Sequence, residues 1–101
     1  MQPVHPVIPP EEISAFCNRH HIRKLSLFGS ILTDRFGPDS DVDVLVEFEP
    51  EHVPGYFRLI GMEMELSDLV GRKVDLRTPG ELGRRIREGI IRGAAVQFER
   101  Q

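Results

Sequence analysis

The chain has 101 residues, 40% hydrophobic and 29% charged, which is enough for one small core. Its net charge is −3 and its pI about 5.8, a balance that argues against broad electrostatic binding of nucleic acid and favours a protein or small-molecule partner. The single cysteine, Cys17, excludes an internal disulfide, no apolar run is long enough to span a membrane, and residues 1–10 lack the features of a secretory leader, so a cytoplasmic protein is expected.

Residues 1–10 hold four of the eight prolines and are expected to form an irregular lead-in, with one domain over residues 11–101. Pro9 and Pro10 suit a helix start, and Glu11 and Glu12 suit its positive end. Ile13, Phe16 and Cys17 at helical spacing predict a helix over roughly residues 10–20. His20 and His21 are then adjacent surface residues at its end, and His5 and His52 are loop residues without a pattern.

A short strand is predicted at 25–28, ended by Gly29, and a short helix or turn at 31–36, closed by Gly37-Pro38. Residues 41–48 alternate strictly, with Val42, Val44, Val46 and Phe48 on one face and Asp41, Asp43 and Glu47 on the other. Asp39 and Ser40 read as turn residues before it. After Pro54-Gly55, the residues Tyr56, Leu59, Ile60, Met62, Leu66, Leu69 and Val70 fit a broad helical stripe, stopped by Gly71. Met64 is placed with them in the core, with a few of these apolar residues left over for a partner.

The next strand, 73–77, puts Val74 and Leu76 on one side and Lys73, Asp75 and Arg77 on the other. A last helix over 81–92 would turn Leu82, Ile86, Ile90 and Ile91 inward and its arginines outward, and 94–98 would add a short strand. The alternation predicts an α/β (α+β) fold, a small mixed β-sheet flanked by helices. If Asp41, Asp43 and Asp75 serve one site, their two strands must be sheet neighbours.

Those three acids carry the chemistry. Carboxylates two apart on a strand point to one side, and three crowded on one face repel and raise at least one pKa. A divalent ion relieves that repulsion, and hard oxygen ligands select Mg²⁺ or Mn²⁺. Gly29 permits close backbone approach, and Ser30 beside it can offer a hydroxyl and N–H groups to a phosphate. The constellation reads as a metal-dependent nucleotidyl transfer site, where positioning and charge stabilisation supply most of the catalysis.

Leu25-Ser26-Leu27-Phe28-Gly29-Ser30, then Asp39-Ser40-Asp41-Val42-Asp43-Val44-Leu45-Val46-Glu47, then Gly71-Arg72-Lys73-Val74-Asp75-Leu76 resemble the motifs of the minimal nucleotidyltransferase (MNT) family. This is a family of the DNA polymerase β-like nucleotidyltransferase superfamily, and the resemblance extends over about residues 11–98. It implies a polymerase β-like fold, ATP as substrate and Mg²⁺ as cofactor. Asp41, Asp43 and Asp75 would be the catalytic metal ligands, with Gly29 and Ser30 on the triphosphate. It also implies a place in a HEPN/MNT toxin–antitoxin pair, in which the antitoxin transfers AMP to a tyrosine of a HEPN-type ribonuclease toxin encoded beside it. Many relatives carry Arg three residues after the motif serine, where this chain has Thr33; Arg35 is the nearby alternative. The competing readings are a non-catalytic antitoxin that occludes its toxin, and transfer to a small molecule or RNA. A homo-oligomer is compatible with either antitoxin reading.

Overall fold

The computed structural model describes residues 9–100, apart from the side chains of residues 85–87. The lead-in expected over 1–10 therefore falls outside the described residues as far as residue 8, His5 included. Helix α1 (Pro10–Arg19) begins on the predicted proline with Glu11 and Glu12 in its first turn. Strand β1 (Ile22–Phe28) follows, three residues longer at its start than the sequence indicated. A 3₁₀ turn (Gly29–Leu32) and a loop lead to β2 (Val42–Phe48). Helix α2 (Tyr56–Val70) then connects to β3 (Val74–Arg77). Helix α3 (Arg84–Gly93) and β4 (Ala95–Glu99) complete the described chain.

The sheet order is β3-β2-β1-β4. Strand β2 pairs antiparallel with β1 and parallel with β3, so the two acid-bearing strands are neighbours as expected. The parallel pair is joined through α2, the usual crossover for parallel strands. Gly71 stops α2 at φ +77°, its N–H donating to the Ser67 carbonyl at 2.8 Å.

One face of the sheet carries the core. Val42, Val44 and Val46 of β2, Leu25 of β1, and Val74 and Leu76 of β3 pack with Ile13, Phe16 and Cys17 of α1 and with Met62 and Leu66 of α2. Burial pushes the Cys17 thiol up to about 12, so it is a protonated packing group. The Glu65 carboxylate of α2 pairs with Arg19 and lies 2.9 Å from His20 Nε2, linking α2 to the end of α1.

Several expectations need correction. Met64 and Tyr56 are not core: α2 buries Met62 and Leu66 and turns Tyr56, Phe57, Ile60 and Met64 outward. A helix packed on a sheet can bury only the stripe that meets it, and this helix is apolar over a wider arc. The last helix starts at Arg84, because Pro79–Glu81 forms a separate 3₁₀ turn in which Glu81 Oε1 accepts from the Thr78 N–H and hydroxyl. Leu82 lies before that helix, Ile90 is half-buried, Ile91 is exposed, and the Ile86 side chain lies outside the described residues. His20 is half-buried against the Phe16 ring, and His21 takes φ +56° and stacks on His52 at 3.8 Å.

Phe16 has no exposed surface. Phe16→Ala should lower unfolding free energy by about 3–5 kcal/mol in urea titrations. Phe57→Ala, on the outward face of α2, should change it by no more than about 0.5 kcal/mol.

Candidate active site

The pleat of β2 sends Asp43, Leu45 and Glu47 to the sheet face opposite the core. Asp41 sits one residue before the strand, not on it, since pairing begins at Val42, whose N–H donates to the Lys73 carbonyl at 2.9 Å. Across the sheet, Asp43 stands in register with Phe28 of β1 and with Asp75 of β3. In both pairings, register partners share a face, which puts Asp43 and Asp75 side by side on the open face. The loop residue Gly29 follows Phe28 directly.

Gly29 has φ +78°, and a Cβ built there would lie 2.3 Å from Asp43 Oδ2. Only glycine combines that backbone conformation with room for the carboxylate. Ser30 is half-buried in the 3₁₀ turn. Its carbonyl accepts from both the Thr33 N–H (2.9 Å) and the Thr33 hydroxyl (2.8 Å), and Thr33 Oγ1 accepts from the Arg35 N–H at 3.1 Å. Thr33 is thus a clasp for the serine turn, which a long cationic side chain at that position would not provide.

The loop between the serine turn and β2 is also held from outside. Gly37 and Ser40 exchange hydrogen bonds of 3.0 and 3.1 Å, in keeping with Ser40 as a turn residue. Arg72, just after α2, donates to the Gly37 carbonyl and lies over the Phe36 ring at 4.3 Å. These contacts fix the path of the chain from Gly29 to Asp41.

The electrostatics follow from the crowding. The Asp43 carboxyl is raised above its ordinary range, first by burial, then by the charges of Asp75 and Asp41. Arg77, on the same face as Asp75, donates to Asp75 Oδ2 at 3.1 Å and lies 3.8 Å from Glu81; the bond to Asp75 raises the Arg77 pKa. Lys73 Nζ is 3.9 Å from Asp41 Oδ2. Among the described residues, no three acidic, histidine or cysteine side chains already converge as a cage for an ion. The donor set nevertheless fits a hard divalent cation: three carboxylates, one of them disfavoured as an anion by burial and by the charges of the other two, with two cationic side chains as counter-ions.

Sequence reasoning missed two residues near the site. Glu63 of α2 accepts the Leu76 N–H at 2.7 Å, bracing β3 next to Asp75. Arg77 was placed on the Asp75 face of its strand without a role, although its two-residue spacing from Asp75 was the available signal.

The chain matches the nucleotidyltransferase domain family over residues 11–96. It is similar to the protein adenylyltransferase MntA of Thermococcus cleftensis, at 35% identity over 74 residues, 73% of each chain. Its fold resembles that of a chain in a toxin–antitoxin crystal structure with AMP-PNP, with TM-score 0.75 and 15% identity over 92% of this chain and 75% of that one. It also resembles a chain in a complex of tri-AMPylated Shewanella oneidensis HEPN toxin with MNT antitoxin, with TM-score 0.66 and 14% identity over 89% and 69% of the two chains. Among the described residues, no helix is long and apolar enough to cross a membrane.

Two outcomes follow for the protein without added metal. A carboxyl raised in the folded state binds its proton more tightly there, so Asp43 costs stability once pH exceeds its raised pKa, and the cost fades as pH falls toward 3.8. Asp43→Asn should therefore melt higher than the wild type at pH 7, with the gap closing in acid, as read by thermal denaturation across pH. Gly29→Ala should destabilise the fold by about 1–3 kcal/mol, because it adds left-handed strain and a clash with Asp43; chemical denaturation measures it.

Proposed function

This chain belongs to the nucleotidyltransferase domain family, and from that premise we propose that it is a protein adenylyltransferase acting as an antitoxin. It transfers AMP from ATP to a tyrosine hydroxyl of a HEPN-type ribonuclease toxin. The observation that carries this reading is the sheet register, in which Asp43 lies opposite Asp75 and against the Cβ-less Gly29.

Asp41, Asp43 and Asp75 are the residues that would hold Mg²⁺, with Mn²⁺ as a substitute. When bound, the divalent ion supplies charge neutralisation on the triphosphate and polarisation of the α-phosphorus. Gly29 lets the backbone approach the phosphates, and Ser30 offers its hydroxyl to a phosphate oxygen. The tyrosine oxygen bonds to the α-phosphorus as the bond to the β-phosphate oxygen breaks, releasing pyrophosphate. Asp75 takes the phenolic proton on a carboxylate oxygen. Before that, Asp75 must exchange its Arg77 partner and Asp41 its Lys73 partner, both exposed pairs of low cost to open.

The same ion pairs favour a second reading. An antitoxin that works by occlusion has no need to free its carboxylates, and here two of the three are paired with cations.

Intact-mass analysis separates the two. The product of the neighbouring gene is incubated with this protein, ATP and Mg²⁺, beside the Asp41→Asn, Asp43→Asn double variant. A gain of one or more AMP units is expected with the wild type, at least about 100-fold slower with the variant. A stable complex with no mass gain establishes occlusion instead.

A further inference from the structure

Among the described residues, the outward face of α2 carries an apolar stripe with no internal partner. Phe57 is 87% exposed, Tyr56 74% and Met64 64%, with Ile60 partly exposed between them. Residues 56, 60 and 64 lie one above the other at four-residue spacing, so the side chains make a continuous strip along the helix.

The strip does not end in open surface. Tyr56 and Ile60 line the same concavity as Asp75, Arg77 and Glu81. An acceptor whose hydroxyl enters that concavity at Asp75 therefore also meets Tyr56 and Ile60, which belong to the exposed strip with Phe57 and Met64. Contiguous exposed apolar surface of this kind marks interaction sites, and aromatic and methionine side chains are enriched in their centres.

We infer that the Tyr56–Phe57–Ile60–Met64 face of α2 is the docking surface for the protein that receives AMP, holding an apolar patch of that partner so that its acceptor hydroxyl reaches Asp75. This rests on the adenylyltransferase reading. The surface supplies partner affinity, while the acids on the sheet supply the chemistry, so the two are separable by mutation.

The test is the double variant Phe57→Asp, Met64→Asp, since both side chains point away from the core. Circular dichroism checks its fold, calorimetry its binding of AMP-PNP with Mg²⁺, and biolayer interferometry its affinity for the neighbouring gene's product. AMP transfer is then followed at saturating ATP. The expected result is unchanged nucleotide binding, with partner Kd and KM raised about 100-fold or more and kcat held within a few-fold. Equal Kd and KM for variant and wild type overturn the inference, as does no complex with the wild type. So does a homodimer of the wild type, seen by light scattering, that the variant abolishes. If the wild type binds the partner but transfers no AMP, the transferase reading fails, and the Kd ratio alone decides the docking surface.

Discussion

The two-residue pleat of β2 governs the rest of the molecule. Even-numbered positions, Val42, Val44 and Val46, are driven into the core, and that burial fixes the register against β1 and β3. Odd-numbered positions then have no freedom: Asp43 must stand opposite Asp75 and beside the Phe28–Gly29 bend. A slip of one residue would bury a carboxylate and expose three valines, so hydrophobic burial is what holds like charges together. The energy that assembles the site comes from the opposite face of the same strand.

That arrangement keeps the acids under tension. Burial and two neighbouring charges disfavour ionised Asp43, and exposed Arg77 and Lys73 offset only part of the repulsion. Counter-ions on flexible, solvent-exposed stems can leave without disturbing the core. The fold thus supplies negative charge that is fixed by backbone pairing and compensated by side chains that move. The rigid backing includes the Thr33 clasp, the Arg72 contact to the loop and the Glu63 brace on β3.

Much of this was legible in the sequence. Strict alternation over residues 41–48 predicted β2, one residue too long at its start, Gly71 marked the end of α2, and a shared site for the three acids required the 73–77 strand to lie beside β2. Where periodicity is ambiguous, the reading failed. Apolar residues surround so much of α2 that spacing alone could not say which arc faces the sheet, and Met64 was placed inward. Leu45 illustrates the opposite limit: it alternates onto the open face yet is only 2% exposed, opposite Ser26 and Arg77 in the ladder. Period 2 assigns a face, whereas burial depends on what neighbouring strands bring to it. Stacking of His21 on His52 rests on a left-handed backbone at a non-glycine residue, for which local sequence gives no cue. The Thr33 clasp was hidden because its partners are main-chain atoms.

The sheet order has a consequence for how the chain reaches its native state. Strand β1 lies between β2 and β4, and β4 is the last strand among the described residues. During synthesis, the β1–β2 hairpin and the α2–β3 crossover can form early, but one edge of β1 stays unpaired until β4 has emerged from the ribosome. Closure across so long a loop is slow compared with local pairing. Through that interval Arg23 and Lys24 lie on the open strand, and charges on an unpaired edge discourage sheet-to-sheet association with another nascent chain. Once β4 is paired, the Arg100 N–H just after it donates to the Arg23 carbonyl at 2.7 Å and its side chain reaches Asn18 of α1.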